Sequence, residues 1–91
     1  AIRSMQADVE TLKAQAQDPA LKEKLRKLSE TIRYSDPMSN DAVTDIEGRI
    51  MQALNELRIC CENGQNADAA KKCGEIEVLF LQRNNLLKAT K

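Results

Sequence analysis

Cysteine and histidine most often give a small protein nucleophilic or metal chemistry, and this chain has three cysteines and no histidine. Cys60 and Cys61 are adjacent, and Cys73 follows twelve residues after Cys61. A zinc site usually takes four nitrogen or sulfur ligands, so three thiolates at this spacing do not complete one within a single chain. A site shared between two chains is the alternative. We expect three free cysteines, no metal and no other cofactor.

A disulfide between these cysteines is also not expected. If the chain reverses direction near Gln65, Cys61 and Cys73 lie on facing helices but are offset along them by about one helical turn. That offset places their Cα atoms beyond the roughly 7 Å that a disulfide can span. Cys61 and Cys73 then act as small apolar core residues, as buried free cysteines do. Cys60 lies at the edge of its apolar stripe and should react first with a thiol reagent.

The carboxylates do not form a recognisable catalytic arrangement. Acid–base catalysis by paired carboxylates needs a concave, partly dry site that separates their pKa values. The acidic residues are expected at helix starts or on solvated faces, and none is expected to project from an apolar stripe. The chain has no glycine-rich phosphate loop and, without histidine, no serine–histidine or cysteine–histidine pair. We expect a protein that is not an enzyme; the acidic residues considered are Asp41, Asp45, Asp68, Glu75 and Glu77.

A short basic stretch in the first half of the chain is the main argument for nucleic-acid binding. It is interrupted by Glu23 and Glu30, and no aromatic residue lies within it for bases to stack on. The whole chain carries 14 basic and 14 acidic residues, so it has no general basic character. We expect a solvated helix face and no nucleic-acid partner, with a small nucleic-acid-binding regulator as the alternative function. The basic residues are Lys22, Lys24, Arg26, Lys27 and Arg33.

Periodic apolar residues predict a leading helix over about residues 2–16. They recur in steps of three and four, which is the a/d pattern of a helix. The stripe is narrow, as is typical of a coiled-coil seam. A helix of about 15 residues is marginal alone in water, so this seam must pack within the chain or against another chain. The seam consists of Ile2, Met5, Val9 and Leu12, with Ala16 following.

A second helix is predicted over about residues 19–34. Asp18 suits the N-cap position and Pro19 suits the first helical position. The apolar pattern then resumes in a different phase. One continuous helix that kinks at Pro19 is the alternative. The second stripe consists of Leu21, Leu25, Leu28 and Ile32.

Residues 35–39 are predicted to be a linker, because Pro37 disfavours a helical conformation at the residue before it. Ser39 or Asn40 is expected to cap a third helix over about residues 40–63. Gly64 is expected to end that helix in the left-handed conformation that glycine adopts easily. The third stripe consists of Val43, Ile46, Ile50, Leu54, Leu57 and Cys61.

A fourth helix is predicted over about residues 66–90, with Asn66 as its cap. Only two or three loop residues separate it from the third helix, which predicts an antiparallel helical hairpin. Its stripe consists of Ala69, Cys73, Ile76, Phe80 and Leu87, widened by Leu79 and Leu86.

These elements predict an all-α fold, a small antiparallel three- or four-helix bundle built on the C-terminal helical hairpin. We expect one domain over residues 1–91, made of an N-terminal helical segment (1–34) with a kink or break near Asp18-Pro19, a linker (35–39) and the hairpin (40–91). The longest apolar run has four residues, against about 20 for a membrane span. An odd cysteine count without framework spacing favours a reducing compartment, and the cytoplasm is the default expectation.

Some apolar residues lie outside the predicted stripes. On a helical wheel, Val78 and Leu81 fall well outside the fourth stripe, Ile59 points away from Ile50, and Met51 is about a quarter turn off. They are predicted to form a docking face, with coverage by the N-terminal helices as the alternative. The interaction candidates are Ile59, Val78, Leu81, Met51, Ile2, Met5, Val9 and Leu12.

The sequence therefore favours a non-enzymatic protein–protein interaction or oligomerisation module, such as an adaptor or a chaperone-like bundle. The expected partner is a second copy of the chain or another helical protein. Core burial and chain entropy nearly balance in so small a bundle, so we expect at least a dimer.

Overall fold

A computed structural model describes residues 2–90, and within that range it contains four α-helices, one short 3₁₀ helix and no β-strand. The predicted all-α fold and the C-terminal hairpin are thereby confirmed. The elements are α1 (Ile2–Gln15), α2 (Pro19–Arg33), the 3₁₀ helix (Asp41–Val43), α3 (Thr44–Glu62) and α4 (Asn66–Ala89).

The first two helices are separate elements, and they do not form one helix that kinks at Pro19. Pro19 is the first residue of α2, and the Asp18 side chain accepts a hydrogen bond of 2.9 Å from the amide of Leu21. This N-cap satisfies an amide that the start of a helix would otherwise leave unpaired. The two helices pack against each other, and Ser29 of α2 donates a hydrogen bond to Glu10 of α1. The alternative of one kinked helix is excluded.

Two predicted helix caps differ from the structure. Asn40 accepts a hydrogen bond of 2.9 Å from the amide two residues later, so it caps the 3₁₀ helix, and α3 begins only at Thr44. Asn66 is not a cap, because it is the first residue of α4 and Gln65 stands at the cap position without a side-chain hydrogen bond. Gly64, with a φ of 70°, reverses the chain so tightly that Asn66 is already helical.

Consecutive helices run antiparallel, which leaves α2 and α4 side by side and parallel. Thr31 of α2 donates a hydrogen bond of 3.2 Å to Glu77 of α4, and further along both helices Asn84 donates one of 3.0 Å to Ser35. The pairs α3–α4, α2–α4 and α1–α2 pack extensively, α1 and α3 pack only slightly, and among the described residues the diagonal pairs α1–α4 and α2–α3 do not pack. The bundle is therefore a ring of helices that is least closed between α1 and α3.

Aliphatic side chains fill the interior, as the composition requires. Each fully buried Leu or Ile contributes roughly 1.5–3 kcal/mol to folding. A smaller cluster of Val43, Ile46 and Leu87 lies at the linker end of the bundle, and Leu79 packs against both clusters. The main core comprises Ile2, Met5, Val9, Leu12, Leu21, Leu25, Leu28, Ile32, Ile50, Ala53, Leu54, Leu57, Ala69, Cys73, Ile76 and Phe80.

A buried ion pair lies at the linker end of the bundle. Arg83 fills the gap in the α4 stripe between Phe80 and Leu87, and its side chain is 0% exposed. Its Nε donates a hydrogen bond of 2.7 Å to Oε2 of Glu47, which also accepts one of 2.8 Å from Ser39. The Glu47 side chain is only 14% exposed. The expectation that no carboxylate projects from an apolar stripe is therefore wrong, because α3 directs Glu47 towards Arg83.

The same network fixes the linker onto the helices. Arg83 Nη2 donates to the carbonyl of Met38, and Nη1 donates to the Asn84 side chain, each at 2.9 Å. Asn84 in turn donates to Ser35, whose hydroxyl donates a hydrogen bond of 2.6 Å to the carbonyl of Thr31. No buried side-chain nitrogen or oxygen within residues 2–90 lacks a partner. We call the side chains of Arg83, Glu47, Ser39, Asn84 and Ser35 the linker-end network.

Candidate functional site

The interaction candidates on α1 belong to the chain's own core. Ile2, Met5, Val9 and Leu12 are all buried and pack in the main hydrophobic cluster. The seam finds its partners within the chain because α1 folds back onto α2. These residues therefore do not form a separate exposed stripe.

The four remaining candidates are exposed but do not share one surface. Met51 is 60%, Ile59 44%, Val78 54% and Leu81 60% exposed, so the N-terminal helices do not cover them. At about 100° per residue, Ile59 lies opposite the buried stripe of α3, and Val78 and Leu81 lie on the outer face of α4. Met51 alone faces the opening between α1 and α3.

That opening is a groove of about 790 Å³ between α1 and α3. Its two walls have the same spacing, because each helix contributes residues i, i+4, i+7 and i+11. Residues at this spacing lie along one face of a helix. The α1 wall is Ser4, Asp8, Thr11 and Gln15, and the α3 wall is Met51, Asn55, Arg58 and Glu62.

Core residues form the floor of this α1–α3 groove. Met5, Leu12, Leu21 and Leu54 line it, although each is buried by its own packing. Residues 16–18, which join α1 to α2, and the turn around Gly64 lie at one end. The groove is therefore apolar at its base, polar at its sides and bounded at one end by two turns.

The polarity of the walls explains why α1 and α3 stay apart. Of the eight wall residues only Met51 is apolar, so neither helix presents an apolar stripe to the other along this side. Helices pack closely where apolar side chains interdigitate. The core stripes instead direct α1 towards α2 and α3 towards α4, and these are the extensive contacts.

The groove carries more negative than positive charge. Asp8, Asp18 and Glu62 line it with a single basic residue, Arg58. Arg58 donates a hydrogen bond to Asn55 and lies 3.9 Å from Glu62, so its charge is partly compensated within its own wall. Asp8 is exposed and forms no ion pair with any of residues 2–90.

The cysteines lie next to the groove but do not form a reactive centre. Cys61 lines the groove, and burial, with smaller contributions from Cys60 and Glu62, raises the pKa of its thiol. Burial, reinforced by Cys61, raises the pKa of the Cys73 thiol to about 12. A raised pKa disfavours the nucleophilic thiolate. Within the described residues, no group of three or more His, Cys, Asp or Glu side chains is arranged to hold a metal ion.

The basic residues of α2 divide between two sides of the helix. Lys22 and Arg26 lie beside Lys13 of α1, whereas Lys24 lies on the α4 side, near Cys73. The charge of Arg26 is engaged by Glu23 at 2.5 Å and by Glu30 at 2.7 Å. The bond to Glu23, with a smaller contribution from Glu30, raises the pKa of Arg26, and the same Arg26–Glu23 bond lowers the pKa of Glu23. Arg33 also lies on the α1 side, near Glu10. That side therefore carries three of the five basic residues, with acidic residues interspersed among them.

The sequence interpretation identified parts of the groove but not the groove itself. Met51 was predicted as part of the docking face, and Met5 and Leu12 as part of the α1 seam. The structure brings these three together around one opening. The sequence does contain a signal for the groove. Counted from Ser4 and from Met51, the residues at i+4, i+7 and i+11 are polar in both helices. That signal becomes informative only when the two helices are known to be neighbours.

Comparison of the chain with protein-family models, with curated proteins and with solved structures found no significant match. The groove is therefore interpreted from its own residues. None of the helices that the structure describes combines the length and the apolar character needed to cross a bilayer.

Proposed function

We propose that this protein is a non-enzymatic protein–protein interaction module whose α1–α3 groove binds an amphipathic helix of a partner. The observation that supports the proposal is the construction of the groove, an apolar floor between two polar walls of equal helical spacing. Helix-in-groove recognition uses apolar residues at i, i+3 or i+4 and i+7 of the bound helix. Such a helix would cover Met51 and the floor and place its polar flanks against the walls.

The length of the groove fits a short helix. Each wall extends from a residue i to i+11, which at 1.5 Å per residue is about 17 Å, or three helical turns. A partner helix of three to four turns presents three or four apolar side chains along one face over that length. The apolar surface that they would contact is the exposed side chain of Met51, with the 2–8% exposed floor residues beneath it, which are Met5, Leu12, Leu21 and Leu54.

A small organic ligand suits the groove less well. The volume of about 790 Å³ lies within the range of ligand sites, roughly 300–1,000 Å³, so volume does not separate the two occupants. Ligand sites bury most of a compact ligand, whereas the two walls of this groove each extend over about 17 Å, or three helical turns. Walls of that length favour a rod-shaped occupant.

A second copy of the chain is the second candidate partner. The exposure of Val78 and Leu81 on the outer face of α4 favours it. Nucleic acid ranks lower, because binding to phosphates needs a concentrated basic face and Glu23 and Glu30 both pair with Arg26 within the basic stretch of α2.

A synthetic peptide tests the groove directly. The probe is an alanine-based helix of about 14 residues with leucines at i, i+4, i+7 and i+11 and glutamines on its flanks. We expect saturable binding to the wild-type protein by fluorescence anisotropy. Met51→Lys should weaken binding at least tenfold, because it places a charge on the desolvated contact surface.

Ile59→Lys is the matched control, since it introduces the same charge at an exposed apolar residue on the far side of the same helix. It should leave peptide affinity within about twofold, and circular dichroism should show both variants folded. Equal losses in Met51→Lys and Ile59→Lys, or no binding by the wild type, would contradict the proposal.

A further inference from the structure

We infer that the helix bound in the α1–α3 groove is basic on its flanks, with lysine or arginine on both sides of its apolar stripe. This inference rests on the proposed function, and it identifies the partner by charge. It follows from the position of the acidic residues in the groove and from the engagement of the one basic residue.

The acidic residues are distributed along the groove. Asp8 lies in the middle of the α1 wall, opposite Asn55 in the shared spacing. Glu62 ends the α3 wall, and Asp18 lies in the turn that bounds the same end. A bound helix of three turns therefore passes a carboxylate about midway and meets two more at its end.

These charges are incompletely neutralised by the protein. Asp18 accepts one neutral amide hydrogen bond, and Asp8 has no ion pair within residues 2–90. Arg58 lies 3.9 Å from Glu62 and donates a hydrogen bond to Asn55, and both of these residues belong to the α3 wall. Neither basic residue of α1 lines the groove: Lys13 is bound to Glu10 at 3.0 Å, and Arg3 is an exposed residue outside the groove lining.

Basic flanks complement this arrangement. A lysine beside the apolar stripe keeps its aliphatic stem on the groove edge and its ammonium group in solvent, within reach of Asp8 or Glu62. Exposed charge pairs at the rim of an interface mainly increase the association rate and the discrimination between partners, and salt screens them. An acidic helix of the same apolar pattern would meet like charges at both positions.

Two peptides that differ only in their flanks test the inference. Both carry the leucine stripe of the uncharged probe, and one has lysine and the other glutamate at the flanking positions. We expect the lysine peptide to bind the wild-type protein at least about tenfold more tightly than the glutamate peptide at low salt. The difference should shrink to about twofold or less near 1 M salt, where the Debye length is about 3 Å.

Charge reversal in the groove should change the preference. Asp8→Lys should weaken the lysine peptide by about fivefold or more and strengthen the glutamate peptide. Asp45→Lys is the matched control, because Asp45 is an exposed acidic residue of α3 that does not line the groove. It should change neither affinity by more than about twofold.

The outcomes separate this inference from the proposed function. Equal binding of the two charged peptides, with both lost in Met51→Lys, would overturn the charge preference and leave groove docking in place. Equal effects of Asp8→Lys and Asp45→Lys would also overturn it, since general charge would then explain the preference. Failure of the uncharged, lysine and glutamate peptides to bind would overturn both proposals.

Discussion

The α1–α3 groove and the linker-end network both place polar side chains between neighbouring helices, with opposite results. In the linker-end network, Arg83 reaches Glu47 on the facing helix and the carbonyl of Met38 in the linker, and its side chain is fully buried. In the groove, Asp8 and Asn55 occupy facing walls, and no hydrogen bond or ion pair joins them.

The difference lies in whether the facing polar groups match in length and charge. Arg83 carries five donors on a long side chain, and the acceptors around it lie at normal hydrogen-bond distances. The shorter groups of the α1 wall, such as Ser4 and Asp8, have no such counterpart across the groove. Matched polar groups close a helix interface, and unmatched ones leave an opening that a partner can fill.

Breaking the linker-end network should give the largest effect. Arg83→Met removes the charge partner of Glu47 and leaves that carboxylate buried and unpaired. Removal of one member of a buried ion pair typically costs about 3–5 kcal/mol. We expect a loss of that size in the free energy of unfolding, measured by urea denaturation with circular dichroism.

The double variant Arg83→Met with Glu47→Leu is the control for that loss. Replacing both charges with apolar side chains of similar size is often nearly neutral. It should therefore recover the part of the loss that comes from the unpaired Glu47 carboxylate, including the case in which Arg83→Met alone does not fold. The bonds from Arg83 to Met38 and Asn84 are lost in both variants. A single variant that loses less than about 1 kcal/mol, or a double variant no better than the single one, would contradict a tightly coupled pair.

Neither the linker-end network nor the groove was predicted from the sequence, because each depends on residues that are far apart in the chain. The gap in the α4 stripe at Arg83 is visible in the sequence, but its partner Glu47 lies 36 residues away. Nothing local indicates that the two meet. The groove depends on α1 and α3 being neighbours, which follows from their packing on α2 and α4.

Local signals, in contrast, were sufficient for the helices. Asp18-Pro19 predicts the start of α2, and Gly64 predicts the reversal between α3 and α4, because each has a conformational preference that acts within one turn. The failure at Asn66 is also local. Asparagine favours the N-cap position, but the turn at Gly64 is so tight that Gln65 stands at the N-cap and Asn66 is already the first residue of α4.

Filling the groove should have the next largest effect and the opposite sign. Asp8→Leu combined with Asn55→Leu replaces two facing polar groups with apolar ones that can bury each other. Filling space in this way commonly adds about 0.5–2 kcal/mol to the free energy of unfolding. The same variant should lose affinity for the leucine-stripe peptide, because α1 and α3 would then pack against each other across the groove.

Asp45→Leu combined with Gln52→Leu is the matched control, since both residues are exposed on α3 and neither lines the groove. Surface substitutions of this kind usually stay within about 0.5 kcal/mol. Equal stabilisation by the two double variants, or retained peptide binding in the filled one, would mean that α1 and α3 do not close on each other.

The outer face of α4 should show an effect on association with little effect on stability. Val78→Lys combined with Leu81→Lys should stay within about 0.5 kcal/mol of the wild type, because both side chains are exposed. If this face joins two copies, the variant should be monomeric in sedimentation where the wild type is dimeric. Gln82→Lys, at an exposed polar position of the same helix, should leave the dimer intact.

A wild-type protein that stays monomeric at high concentration would remove this face as a contact between copies. Unfolding of the double lysine variant would mean instead that the pair is buried, since two unpaired charges are not tolerated in a core. Either result leaves the groove unaffected, because Val78 and Leu81 do not line it.

Thiol labelling should give the smallest effect, and it compares two adjacent residues of α3, Cys60 and Cys61. Cys61 lines the groove and Cys60, its neighbour, does not. Cys73 should be slowest to react with iodoacetamide at about pH 8, because a pKa of about 12 leaves about one thiol in ten thousand as thiolate. Cys60, partly exposed at the edge of its stripe, should react first.

Saturating leucine-stripe peptide should slow the alkylation of Cys61 severalfold and leave the alkylation of Cys60 unchanged, as followed by mass spectrometry of the digested protein. Equal protection of both cysteines would place the peptide elsewhere or show that it tightens the whole fold, because a helix in the groove covers only one of these adjacent side chains.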